Sequence, residues 1–257
     1  MTFNVLAIGD VTCFAGFEKL RRELSALKKH KAISFTVANG ENMSGIGLTP
    51  EQAEDLFSVG VDVITLGNHT WGRRDIITYL DDCRYILRPA NFAPQNPGRG
   101  WGEFDSIAGK ICVINLIGRA GMPHESENPF FEVDKILKKT AAKIILVDFH
   151  AEMTSEKQAM AFYLDGRVSA VWGTHTHVQT SDACVLEKKT GFITDLGMTG
   201  PAVSVIGIKP EMSISRFLGN PPERYEQAGG SGKLEGAIFE IDSDTGHCIS
   251  VEALRIT

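Results

Sequence analysis

The chain has 257 residues, 43% hydrophobic and 23% charged, and carries 26 basic against 32 acidic side chains, a formal net charge of −6. That length can bury a sizeable core, and the ordinary apolar and charged shares exclude a disordered or fibrous polymer. The acidic balance argues against stable binding to long nucleic acid but leaves room for a small phosphorylated substrate.

In chain order, Val5–Ile8 reads as a strand, with no basic segment or cleavage site before it. No apolar run is long enough to span a bilayer. The five cysteines are scattered, odd in number and lack any C-x-x-C pair, so reduced thiols and a cytoplasmic location are expected. A basic amphipathic segment over Phe17–Lys29 precedes a strand at Ile33–Ala38. The next helix starts near Thr49, an N-cap followed by Pro50 at the first helical position. The strand Val61–Leu66 and the helix Arg74–Asp81 follow. Pro, Gly and Asn then make residues 88–104 a loop-dominated connection. Strands are expected at Ile111–Leu116, Lys143–Asp148 and Val168–Trp172, with a helix over Ser155–Leu164 between the last two. The chain closes on a hairpin, Gly236–Ile241 and Cys248–Arg255, around a polar turn. This alternation predicts an α/β fold, and without repeats or clear linkers it is read as one domain over residues 1–257.

Five strands end alike, in an apolar run, a small turn residue or none, and then side chains able to bind metal. They close on Gly9-Asp10, Gly40-Glu41-Asn42, Gly67-Asn68-His69, Asp148-Phe149-His150 and Gly173-Thr174-His175-Thr176-His177. Asp, Asn and Gly at one strand end serve equally as caps or turns, and a lone H-x-H pair is as often structural as not. Five such ends converge if their strands run parallel. Two carboxylates, two amides and four histidines exceed what one ion needs. Two ions sharing a carboxylate fit better, a layout suited to phosphate ester hydrolysis. Mixed oxygen and imidazole donors suit Mn, Fe or Zn over Mg or Ca.

The motifs Gly9-Asp10, Gly40-Glu41-Asn42, Gly67-Asn68-His69-Thr70-Trp71, Arg88-Pro89-Ala90-Asn91-Phe92, Asp148 to Glu152, Gly173 to Val178 and Asp195 to Pro201 span nearly the whole chain. Through them the sequence resembles the calcineurin-like metallophosphoesterases, and within these the bacterial YmdB-type branch of 2′,3′-cyclic-nucleotide phosphodiesterases. It departs from the wider superfamily as that branch does, with Thr12 where a histidine is usual, Glu41 in place of aspartate, and Thr70 after the asparagine-histidine pair.

The resemblance implies a four-layer sandwich of two mixed β-sheets flanked by α-helices, two first-row ions (Fe or Mn, with Zn also suitable), and a homo-oligomer. It implies that Asp10, Glu41, Asn42 and His177 hold one ion and that Glu41, Asn68, His150 and His175 hold the other. It makes His69 the acid at the leaving group. The implied activity is hydrolysis of small nucleotide phosphodiesters by a hydroxide shared between the ions. A phosphomonoesterase or nucleotidase of the same superfamily, or a regulatory nucleotide-binding protein without catalysis, fits the same donors.

Close relatives tend to carry a Gly-Arg pair where this chain has Gly16-Phe17. Thr12–Phe17 is read as a loop and helix start repacked with apolar residues, with Cys13 a small buried loop residue and not a metal ligand. Arg73, Arg88 and Arg119 could reach a phosphate but read as solvated or structural charges. His30 and His247 read as exposed, and His124 as a surface-loop residue.

Overall fold

The computed structural model describes residues 2–123 and 125–257, so the reading of His124 lies outside the described residues. In chain order these form β1 (Thr2–Ile8), β2 (Asp10–Val11), α1 (Cys13–His30), β3 (Ile33–Asn39), α2 (Pro50–Ser58), β4 (Val63–Thr65), α3 (Ile76–Asp82) and β5 (Ile86–Leu87). Then come β6 (Trp101–Ser106), β7 (Gly109–Ile117), α4 (Pro129–Leu137), β8 (Ile144–His150), α5 (Thr154–Leu164) and β9 (Ala170–Thr174). The last stretch holds β10 (Cys184–Val185), β11 (Gly191–Ile193), β12 (Met198–Pro201), α6 (Pro210–Phe217), β13 (Gly232–Asp242) and β14 (Cys248–Ile256).

Two mixed sheets result. The first runs β2-β12-β13-β1-β3-β4-β5, with β14 also on β13; the second runs β10-β11-β9-β8-β7-β6. Within them β1, β3, β4 and β5 are mutually parallel, as are β7, β8 and β9. Strand alternation divides the apolar residues into layers. Phe3, Val5 and Ala7 of β1 meet Val113 of β7, Leu146 of β8 and Trp172 of β9 between the sheets. Leu6 and Ile8 face the other way, onto Leu20 and Leu24 of α1 and Leu56 of α2. Ile114 and Val147 of the second sheet pack on Met160 and Leu164 of α5 and Val133 of α4. The expected four-layer α/β sandwich is what forms. Among the described residues no helix is long and apolar enough to cross a membrane.

The Thr49 cap is as expected: its hydroxyl accepts from the Gln52 amide, and the Gln52 side chain accepts in return from the Thr49 amide. Three expectations need correction. The first helix starts at Cys13, not Phe17, and Phe17 packs against the helix-side core. The loop expected over residues 88–104 ends in strand, because Trp101–Phe104 pair antiparallel with β7. The strand expected at Val168–Trp172 runs instead from Ala170 to Thr174, so the H-x-H pair follows it directly.

Candidate metal centre

The parallel strands of both sheets end at one edge, and the donors collect there from both sheets. The first sheet's strands deliver Asp10, Glu41, Asn42, Asn68 and His69; β8 and β9 of the second deliver His150, His175 and His177. The Nε2 of His150 lies 2.8 Å from Asn68 Oδ1, 3.0 Å from Glu41 Oε1 and 3.1 Å from His175 Nδ1. Gly67 makes room for that ring, since a Cβ there would lie 2.3 Å from it. A second group stands beside the first. Asn42 Nδ2 is 3.1 Å from His177 Nε2 and 3.5 Å from Asp10 Oδ1, and Asp10 Oδ1 is 3.7 Å from His177 Nε2. All seven expected ligands thus fall into two groups, and Glu41 acts electrostatically on His175 of one and His177 of the other.

Hydrogen bonds orient the rings of His150 and His177, and an ion-pair contact that of His175. Thr174 Oγ1 donates to Asp148 Oδ1 at 2.8 Å and so accepts from His150 Nδ1–H at 2.9 Å. His175 Nε2 lies 3.0 Å from Glu152 Oε2, at ion-pair distance. His177 donates Nδ1–H to the Ile206 carbonyl at 2.9 Å. Pinning the outer N–H in this way orients a metal-binding imidazole. It leaves His150 Nε2 turned toward His175 Nδ1, Glu41 Oε1 and Asn68 Oδ1. Glu41, His150 and His175 place a ligand atom each within 4.8 Å of the others. These imidazole, carboxylate and amide donors fit a first-row ion. In the second group the Asn42 amide donates to His177 Nε2; turning it over brings Oδ1 to the same place.

The electrostatics agree. Burial pushes the carboxyls of Asp10 and Glu41 up, against the lowering effect of nearby histidines. Burial likewise holds His150 down to about 3 and His175 down to about 4, the latter also because His150 is beside it. Asp148 is pushed up to about 7, chiefly by burial. Each shift disfavours a charge that lacks a counter-ion, and a bound cation inverts the balance for the carboxylates.

An open cleft of about 310 Å³ lies over the donors, lined by Glu41, Asn42, His69, Glu152, His175, Thr176, His177 and Ile206. The backbone amide of His69 donates to Glu41 Oε2 at 2.9 Å, and its ring Nε2 lies 3.3 Å from the Asn68 amide. Arg88 is buried and spends its guanidinium on the carbonyls of Pro89, Asn96 and Pro97, a structural role. Arg73 and Arg119 are exposed and outside the lining, and His30 and His247 are exposed as expected. Cys13 is buried with Sγ 3.9 Å from the Ala228 carbonyl, and burial pushes its thiol up, as for a packed side chain. Sequence reasoning missed the partners that pin the histidines. Thr174 and Glu152 lie inside motifs it had marked, whereas nothing marked Ile206.

A donor set gathered from two stacked mixed sheets, over the ends of their parallel strands, defines the calcineurin-like metallophosphoesterase class. The "YmdB-like protein" family model matches residues 6–254. A Bacillus subtilis (strain 168) protein named 2′,3′-cyclic-nucleotide 2′-phosphodiesterase is 41% identical over 98% of this chain and 97% of its own length. A solved structure described as a novel phosphatase, from Mycoplasma pneumoniae, is 36% identical with a TM-score of 0.94, covering 100% of this chain and 94% of that one. The sulfate thiohydrolase SoxB from Thermus thermophilus shares the fold at 13% identity and a TM-score of 0.57, over 97% of this chain and 43% of its own. The chain belongs to the YmdB-like family.

Proposed function

We propose that this protein is a cytoplasmic two-metal phosphodiesterase acting on small nucleotide diesters, 2′,3′-cyclic nucleotides foremost. The observation that carries the reading is the convergence of His150, His175, Glu41 and Asn68 on one another, with the Asp10–Asn42–His177 group beside it. Glu41 would contribute to holding both ions. When bound, Fe, Mn or Zn ions neutralise phosphoryl charge and bring the pKa of water toward neutrality. The substrate class is supported by the name of the Bacillus subtilis relative, alike over nearly its whole length.

The chain's own residues divide the remaining work. His69 lines the cleft, tethered to Glu41 through its backbone, and would give a proton to the departing ribose oxygen. The free carboxylate edge of Glu152 lines the same cleft, 49% exposed. A negative charge there weighs against a dianionic phosphomonoester more than against a monoanionic diester, which favours the diesterase over the nucleotidase. Five free cysteines support a reducing location.

The test measures metal content after anaerobic purification, then turnover of 2′,3′-cyclic AMP beside 5′-AMP. Cyclic phosphate should be the better substrate. His69→Ala should keep its metal and lose roughly 10²–10⁴-fold in rate. Preferential monoester turnover overturns the substrate class, and full metal with unchanged activity in His69→Ala rejects His69 as the acid.

A further inference from the structure

Lys157 and Asp195 form an ion pair at 2.6 Å, each side chain 1% exposed, and neither belongs to the donor set. Lys157 comes from α5, and its stem passes against the end of β9 at Gly173. A Cβ at Gly173 would lie 2.7 Å from Lys157 Cδ and 1.9 Å from the Thr194 carbonyl oxygen, so only glycine leaves the path open. The Asp195 oxygen that takes Lys157 also accepts from Thr176 Oγ1 at 2.8 Å and from the Thr176 amide at 3.2 Å. Its other oxygen accepts from the Gly197 amide at 2.9 Å.

Thr176 is the residue between the two histidines. His175 and His177 both hold positive φ, 105° and 62°. That backbone is unfavourable for an L residue and persists where its surroundings over-determine it. Asp195 supplies the restraint, gripping Thr176 by backbone and side chain together. Lys157 donates to the Asp195 carboxylate at 2.6 Å, a charge-assisted bond that holds the acceptor in place beneath Thr176. A buried ion pair adds little net stability, because desolvating both charges offsets their attraction; an apolar pair of like volume serves a fold as well.

We propose that Lys157 and Asp195 are positioning residues. Together they clamp the His175-Thr176-His177 turn so that His175 faces the Glu41–Asn68–His150 group and His177 faces Asp10 and Asn42. The inference rests on the two-ion reading above.

The test uses the full chain, stripped of metal and titrated with Mn²⁺ by calorimetry, together with the visible spectrum of the Co²⁺-loaded protein. The apolar replacement Lys157→Met/Asp195→Leu removes the charges together but leaves the Thr176 and Gly197 donors without their acceptor, so it should fold with a lowered melting temperature. It should also bind Mn²⁺ about tenfold or more weakly and shift the Co²⁺ bands. Thr176→Val, which loses one hydroxyl contact, should weaken Mn²⁺ about fivefold at unchanged melting temperature. A folded double variant with wild-type affinities and spectrum overturns the clamp. Should that variant not fold, wild-type Mn²⁺ affinity in Thr176→Val overturns it. Wild-type protein taking up fewer than two ions overturns the two-ion reading, and the clamp falls with it.

Discussion

Thr174→Val isolates the hydrogen bond that sets the His150 tautomer. Thr174 is fully buried, and valine nearly matches its shape, so the change subtracts a hydroxyl and leaves the packing intact. Two groups lose their partner, His150 Nδ1 at 2.9 Å and Asp148 Oδ1 at 2.8 Å. An unsatisfied buried group costs about 1–3 kcal/mol. Asp148 keeps its bond from Thr65, and His150 has a second neighbour, the Asn39 amide at 3.3 Å from the same nitrogen. With the hydroxyl gone, that amide can donate to Nδ1 and move the ring proton to Nε2, into the donor cluster. The stability loss of the metal-free protein should therefore sit near the low end, about 2 kcal/mol. The larger effect should fall on metal binding, a weakening of roughly 10–100-fold, or about 1.4–2.7 kcal/mol. Urea unfolding with chelator and with Mn²⁺ separates the two, because the gap between the curves reports ion affinity. Thr174→Ser should restore both. A valine variant that loses stability yet binds Mn²⁺ as wild type does would refute the tautomer argument.

Glu152→Ala removes the carboxylate beside His175 Nε2, but water can reach this half-exposed site. Mn²⁺ affinity should fall by less than in Thr174→Val, while kcat/KM for nucleoside monophosphates should rise relative to cyclic nucleotides; an unchanged ratio counts against the charge-based preference. Between its ordinary value of 3.8 and about 7, native Asp148 holds a proton that the unfolded chain does not, so it adds stability as pH falls; His150 and His175, held at about 3 and about 4, act oppositely below 6.5. Asp148→Asn should therefore make the metal-free protein lose stability on acidification more steeply, by about 1.4 kcal/mol per pH unit between roughly pH 4.5 and 6.5, and equal slopes would refute this. Arg88→Met gives up three carbonyl contacts and should lower stability by about 3 kcal/mol, with activity per folded molecule unchanged. Lost activity in folded Arg88→Met would return that arginine to the substrate.

The strand ends were legible because apolar runs such as Val63–Leu66 stop abruptly at a small residue followed by a donor, a pattern carried by local sequence. The second sheet's share of the site could not be read in the same way. Alternation marks a strand without saying which sheet it joins, so the five strand ends did not show which of the two sheets each belongs to. Short pairings were silent for a related reason. Asp10–Val11 and Met198–Pro201 lie nearly two hundred positions apart, and two paired residues have no period. Only Phe104 of β6 is buried, so Trp101–Ser106 shows no apolar face. Helix α1 opens on Cys13 at a φ of 53°, and Thr12 at its N-cap makes no side-chain cap bond, its hydroxyl donating to the Asp10 carbonyl instead. The partners that pin the histidines act by position alone, so Ile206, contributing a carbonyl, leaves no trace in residue type.

Each donor group draws on both sheets: Glu41 and Asn68 meet His150 and His175, and Asp10 and Asn42 meet His177. The geometry offered to an ion therefore depends on how the sheets are held together at this edge. Apolar packing fixes their separation but resists sliding weakly, since it is non-directional. Directional bonds lie immediately beneath the donors. Asn115 of β7 donates to the carbonyls of Leu66 and Leu87 at 2.6 and 2.7 Å, joining the second sheet to β4 and β5 of the first. Thr65 of β4 donates to Asp148 of β8, whose other oxygen continues through Thr174 to His150. Buried polar groups of this kind contribute little net stability, yet each specifies one alignment, because a slip of a residue leaves them unsatisfied. The same edge carries the positive φ of His175 and His177. Directional bonds and backbone strain thus coincide where alignment has to hold to fractions of an ångström, and the rest of the inter-sheet core is apolar.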